Sequence, residues 1–294
     1  MRKWLRYIFR RVVQSFWGKG ITKTLPFVGT IYFFVTRHLI PRGVTLFQVQ
    51  GLKIYAEGNS GIAQIMGIRG SYEEDTTKLF IGIVREGMTV LDLGANIGYY
   101  SLLAGRQVGE KGKVFAFEPG PESFAILQRN IKANGFNNIV PMAKAVSNRC
   151  GRQRLFLASD PGEHGLFEYL DREYIEVDVT TIDEFIKEQN ISVDVIKMDV
   201  EGGENEVLDG MPETISKTPE LKIITEFLPQ HFERSGSSCS PYAFLERLMG
   251  YGFKLYFIDD KKHTRELITL NNINNLIELS HRGPANIYCA RGDI

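Results

Sequence analysis

A chain of 294 residues, 43% apolar and 24% charged with no formal net charge, fits one or two soluble globular domains with a sizeable core. The charge is uneven. Residues 1–56 hold ten Lys and Arg and no Asp or Glu, which leaves 25 basic against 35 acidic residues and makes the remainder a poor general nucleic-acid binder. Three scattered cysteines, Cys150, Cys239 and Cys289, form no C-x-x-C or Cys/His cluster; they argue against a disulfide framework or zinc site and for a reducing compartment.

Residues 1–42 differ from the rest. On a helical projection Trp4, Leu5, Ile8, Phe9, Val12 and Phe16 share one sector, with Arg2, Lys3, Arg6 and Arg10 beside it. A basic amphipathic stretch with aromatics suits an anionic membrane surface; it equally suits a helix packed on its own domain or on a partner subunit. Leu25–Thr36 is apolar but only twelve residues long, short of the roughly 20 that span a bilayer. No small-residue cleavage site follows to make it a signal peptide. The boundary is placed at 43/44, with residues 1–43 as an extension and 44–294 as the main domain. The expected location is cytoplasmic, peripheral on the inner membrane face if the extension docks there.

Residues 44–57 read as two short strands around Gln50-Gly51. Ser71–Asp75 opens a helix through Leu79, Ile83 and Val84, with acids in its first turn. Next comes Val90–Ser101, VLDLGANIGYYS, in which an apolar run ends near Asp92, a glycine turn Gly94–Gly98 follows, and Tyr99 onward continues as a helix. Strand, glycine turn and helix make the first unit of a nucleotide-binding α/β fold. The spacing is not G-x-G-x-x-G, so the dinucleotide fingerprint is absent. A second strand, Lys113–Phe117, ends at Glu118, twenty residues after Gly98. A carboxylate at that distance suits the two hydroxyls of a ribose, so this part reads as binding an adenosine-like nucleoside without a pyrophosphate.

Pro119-Gly120-Pro121 starts a helix striped by Phe124, Leu127 and Ile131 and capped at Asn134-Gly135. Ile139–Val146 supplies a third strand and its exit loop. Arg152–Leu157 and Tyr174–Val179 read as an antiparallel pair around a glycine- and charge-rich loop holding His164. Thr181–Glu184 is a capping box. Asp194–Met198 is a buried-type strand running into Asp199–Glu204 and a short helix that Gly210 ends. Leu221–Phe227 is another, carrying Glu226. A helix begins at Ser240-Pro241, and Phe253–Ile258 and Asn286–Ala290 close the series. This alternation predicts a mainly parallel sheet with helices on both faces. Ligands of such sheets sit beyond the carboxyl ends of the strands, where Asp92, Glu118, Asp199 and Glu226 are expected to ring one crevice.

Residues 70–292 resemble the FkbM-type family of S-adenosylmethionine-dependent methyltransferases, through VLDLGANIGYYS (90–101), FAFEP (115–119), TIDEF (181–185), IKMDVEGGENEVLDG (196–210) and NIYCARG (286–292). The resemblance implies a class I, Rossmann-like, seven-stranded sheet, S-adenosylmethionine as donor, and an oxygen of a sugar, glycolipid or other small molecule as acceptor. Asp92, Gly94, Ala95, Asn96, Gly98 and Tyr99 are then candidates for the methionine end of the donor, Glu118 and Pro119 for the ribose, and Ala145 and Val146 for the adenine. Tyr72 and Glu73 are candidates to close over the donor. Asp199 and Glu201 stand at the reacting end, Glu201 also as a cap on the helix at Gly203, and Lys197 shares a face with Asp199. Acids suit a cationic sulfonium donor. A free hydroxyl cannot be ionised beforehand by a carboxylate of ordinary pKa, so Asp199, or failing it Glu226 or His231, is expected to accept the proton as the bond forms. The scheme requires no metal, although neighbouring acids do not exclude one. The rival readings are a nicotinamide-dependent oxidoreductase and a membrane-tethered nucleoside-binding protein without catalysis.

Overall fold

The structure, a computed structural model, describes residues 43–58, 60–167, 172–234, 239–260, 262–281 and 285–292. The basic amphipathic segment expected over residues 1–42 lies outside them. Two compact units divide after Tyr72, downstream of the expected 43/44 boundary.

The first unit contains the expected hairpin, β1 (Val44–Val49) and β2 (Leu52–Glu57), paired antiparallel. Gln50 and Gly51 both take positive φ, as a two-residue turn of matching twist requires. Alternate residues Leu52, Ile54 and Ala56 are buried. Helix α1 (Gly61–Arg69), not anticipated from periodicity, is capped by the Ser60 side chain and stopped by Gly70 in the left-handed region.

The second unit is built on an eight-stranded sheet. Its strands are β3 (Thr89–Leu93), β4 (Lys113–Phe117), β5 (Ile139–Met142), β9 (Val195–Met198), β10 (Lys222–Phe227), β11 (Lys254–Asp259), β12 (Thr264–Leu267) and β13 (Ala285–Ala290), in the order β12-β11-β13-β10-β9-β3-β4-β5. β5, β4, β3, β9 and β10 are parallel neighbours, and β13 runs antiparallel between β10 and β11. The expected seven strands are present and β12 is an eighth. Its four residues are all exposed, so it carries no apolar alternation to betray it. A separate three-stranded sheet joins β6 (Ala145–Val146), β8 (Tyr174–Thr180) and β7 (Gly151–Phe156).

The helices of this unit are α2 (Glu74–Ile83), α3 (Tyr99–Val108), α4 (Pro121–Asn134), α5 (Ile182–Gln189), α6 (Glu204–Asp209), α7 (Pro212–Lys217), α8 (Pro229–Arg234), α9 (Pro241–Gly250) and α10 (Ile273–Ser280). Thr181 caps α5 by accepting from the Glu184 amide at 3.1 Å, as the capping box predicts. All four residues of β9 and the last four of β3 are buried, the pattern of strands covered on both faces. In the core, Phe115 and Phe117 present edges to Phe185 with centroids 5.1 and 4.9 Å apart.

The register places the site. Leu93 pairs with both Phe117 and Met198, and Met198 pairs with Thr225. The next residue on each strand is Gly94, Glu118, Asp199 and Glu226. Three carboxylates and one glycine therefore stand at a single level along one edge of the sheet.

Candidate active site

A crevice opens beyond these strand tips. Gly94, Asn96, Glu118, Pro119, Ala145, Val146, Asp199 and Glu201 line it, all of them expected from the sequence. Phe117, Lys144, Leu155, Gly162, His164, Gly165, Leu166, Val200 and Gly203 complete the wall.

Gly94 sits where two strand exits touch. It has φ +76, and a Cβ there would fall 1.8 Å from the carbonyl oxygen of Asp199. Only glycine permits both the left-handed backbone and that approach. The Asp199 amide in turn donates to Leu93 at 2.9 Å, so the two exits hold one another in place. Gly98, also at positive φ, starts α3 and packs on Leu127.

Glu118 is fixed by its own loop. Its Oε2 accepts from the Asn96 amide at 2.7 Å and its Oε1 from the Gly120 amide at 2.8 Å. Burial raises its pKa to about 7 in spite of those donors, with Asp92 and Asp199 adding repulsion. Each oxygen keeps a further lone pair for a ligand hydroxyl.

Asp92 is enclosed, 2% exposed, and does not line the crevice. It accepts from the Ser101 hydroxyl at 2.5 Å, and burial raises its pKa to about 6. It thereby fixes the start of α3. Ala95 and Tyr99 are likewise buried, and the Tyr99 hydroxyl shares a 3.2 Å hydrogen bond with Thr77. Glu73 accepts from the Tyr100 hydroxyl at 2.6 Å, and burial raises its pKa. Tyr72 closes the first unit.

Lys197 is wholly buried beneath this group. Its Nζ lies 3.5 Å from Asp199 Oδ2 and 5.1 Å from the Tyr100 ring centroid. Burial alone would lower its pKa, but Asp199, Glu73, Glu226 and Asp92 outweigh burial and raise it. It stays an ammonium that balances part of the acidic charge.

The capping role expected of Glu201 belongs to Glu204. Glu204 Oε1 accepts from the Val200 and Gly202 amides at 3.1 and 3.4 Å, tying back the turn before α6. Burial raises its pKa to about 7. Glu201 is held instead at φ 53 with its carboxylate toward His231, Oε2 to Nε2 3.8 Å. The other imidazole nitrogen lies 4.0 Å from Glu226 Oε2. Burial, followed by the charge of Asp199, raises the pKa of both Glu201 and Glu226 well above the carboxylate range. Glu226 and His231 stand behind Glu201 and do not line the crevice.

His164 was legible only as a lone histidine. The short 3₁₀ turn Pro161–Glu163 brings it against Gly120. Its Nδ1 accepts from the Ala158 amide at 2.9 Å, which leaves the proton on Nε2, and burial lowers its pKa.

The Methyltransferase FkbM domain family model matches residues 92–255. The hexuronic acid methyltransferase AglP of Haloferax volcanii is 30% identical over 152 residues, 51% of this chain and 60% of that protein. The 2-O-methyltransferase NoeI of Sinorhizobium fredii is 28% identical over 159 residues, 48% of this chain and 63% of that protein. The chain thus spans less than two thirds of either relative. A solved SAM-dependent methyltransferase from Aquifex aeolicus aligns at 18% identity with a TM-score of 0.41, covering 75% of this chain and 89% of that one.

Proposed function

The chain belongs to the FkbM methyltransferase family, and from that premise we propose that it moves a methyl group from S-adenosylmethionine to a hydroxyl of a sugar or glycolipid. The observation that carries this reading is that Glu118 and Asp199 stand at the level of Gly94 and open with it on one crevice. The residues fit the donor: Gly94 and Asn96 offer backbone at close range, Glu118 offers two carboxylate oxygens to a diol, and Ala145 and Val146 offer apolar surface to a base. Excess acid suits a sulfonium with an α-amino group and opposes a pyrophosphate, which counts against the oxidoreductase reading.

S-adenosylmethionine, when bound, supplies an electrophilic methyl carbon. The chain supplies the rest. Glu118 and the Gly94 turn orient the nucleoside end, and Asp199 faces the reacting end. Asp199 accepts the acceptor's proton as the oxygen–carbon bond forms, a role for which its place at the tip of β9 and its contact with Lys197 hold it ready. Holding oxygen and carbon near about 3 Å in line contributes much of the rate. The hexuronic acid of one relative and the 2-O position of the other support a carbohydrate acceptor.

Residues 1–42 dock the enzyme on an anionic membrane face in this reading, which brings the crevice near a lipid-linked acceptor. The support is their charge bias and aromatic sector. Among the described residues no helix is long and apolar enough to cross a membrane.

Calorimetric titration with S-adenosylmethionine and with NAD tests the donor, followed by mass spectrometry of glycan and glycolipid pools incubated with isotopically labelled donor. Binding of NAD in place of S-adenosylmethionine, or binding without any labelled product, refutes methyl transfer.

A further inference from the structure

The group behind the crevice has a composition that methyl transfer does not explain. Glu201, Glu226 and His231 each present one ligand atom such that all three lie within 4.8 Å of one another. Glu226 Oε2 is buried, turned toward the imidazole, and accepts no hydrogen bond. A buried carboxylate oxygen without a donor is costly unless a cation or proton meets it. Asp199 and Glu204 add negative charge around the group, and Lys197 is the cation that opposes them. Glu201 lines the crevice, whereas Glu226 and His231 do not. A single ion is small enough to meet all three.

We propose that Glu201, Glu226 and His231 form a binding site for one divalent transition-metal ion at the back of the crevice. Donors held at about 2.1 Å from an ion stand about 3 to 4 Å apart. An ion takes only one imidazole nitrogen, so either the 3.8 Å Glu201–Nε2 or the 4.0 Å Glu226–Nδ1 contact applies; with one ligand atom from each residue all within 4.8 Å, side-chain rotations bring the remaining separations into that range. One imidazole nitrogen with two carboxylates favours Mn²⁺, Fe²⁺, Co²⁺ or Zn²⁺ over Mg²⁺ and Ca²⁺, which prefer oxygen alone. Three protein ligands leave positions open on the side of Glu201 that faces the crevice. There the ion meets the acceptor hydroxyl and lowers its pKa, easing proton removal. That last role rests on the methyl-transfer reading; the binding of the ion does not.

The test uses the full chain and Mn²⁺ alone. Equilibrium dialysis read by electron paramagnetic resonance should show one saturable site per chain that a tenfold excess of Mg²⁺ does not empty. Pulsed measurements on the bound Mn²⁺ should show coupling to an imidazole ¹⁴N. Glu226→Gln and His231→Gln should each weaken Mn²⁺ binding at least tenfold while S-adenosylhomocysteine titration stays saturable. Absence of a saturable site, absence of ¹⁴N coupling, or displacement by Mg²⁺ overturns the proposal, and the coupling can be read on the wild type even if a variant fails to fold. Failure to bind S-adenosylhomocysteine with Mn²⁺ still bound would sink the methyl-transfer reading and leave the metal site standing.

Discussion

If Glu118 holds the donor's ribose as proposed, donor affinity should depend on pH. Its carboxyl is buried on two backbone amides with a pKa of about 7. A ribose diol is best met by two accepting oxygens, which only the ionised form offers. If the donor selects that form, apparent Kd rises by one plus ten to the power of pKa minus pH. That factor is about 1.1 at pH 8 and about 11 at pH 6, so affinity falls about tenfold across that interval. Glu118→Gln keeps the shape but cannot ionise. At pH 8 it should bind about ten- to a hundredfold more weakly, the loss of a charged hydrogen bond of about 1.5–3 kcal/mol, and its affinity should be nearly flat with pH. Calorimetric titrations of wild type and variant with S-adenosylhomocysteine at pH 6, 7 and 8 measure both slopes. A flat wild-type profile, or a variant that keeps the slope, refutes the reasoning. Stability should show the same groups with the opposite preference. Asp92, Glu118 and Glu204 have folded pKa values of about 6, 7 and 7, raised above their ordinary values of 3.8, 4.5 and 4.5. Their contribution to ligand-free stability is therefore full below about pH 4 and lost as pH rises through 6 to 7.

Asp199→Asn should keep the crevice's shape and lower kcat by about 10²–10⁴; an unchanged kcat on the true acceptor shows that another group takes the proton. Gly94→Ala should destabilise the domain by about 2–5 kcal/mol, from the left-handed backbone and the overlap with Asp199, read as a lowered denaturant midpoint. Glu204→Ala strips the acceptor from two amides at about 1–3 kcal/mol each, and should loosen the 199–203 turn so that amide exchange at Val200 and Gly202 accelerates. A chain starting near Val44 should bind donor as the full chain does yet fail to co-sediment with anionic vesicles; equal behaviour of the two, or equal binding to neutral vesicles, removes the membrane role of residues 1–42.

The strand-tip acids were legible because parallel buried strands announce themselves as apolar runs and their ends as the first charge after them. Glu118 and Asp199 needed no more than that. Gly94 was legible from the turn, although its contact with the Asp199 carbonyl was not, since residue type alone does not tell which backbone approaches. The burial of Asp92 was not legible, because a strand-end acid reads the same whether it faces a crevice or, as here, a serine in the first turn of the next helix. The capping role expected of Glu201 falls to Glu204 because only two glycines separate them and only the backbone shows which carboxylate folds back on the amides. Lys144, Leu155 and Leu166 reach the crevice from the smaller sheet and its loop, a placement that depends on how β6 joins β8. The convergence of His231 on Glu226 and Glu201 arises from the turn between β10 and α8, and no spacing in the chain encodes it.

The insertion of β13 between β10 and β11 has a consequence for the order of assembly during synthesis. Residues 254–267, the β11–β12 ribbon, emerge from the ribosome before the strand that must seat them. Until residues 285–290 arrive, β10 carries a bare edge, and unpaired edges invite pairing with other chains. The tip of β10 bears Glu226, and Phe227 beyond it packs on Phe232 and Phe244. The nascent chain therefore completes the wall behind its crevice at a late step of folding. Removing residues 285–292 should release a polypeptide that aggregates on synthesis, although it retains the glycine turn, Glu118 and Asp199.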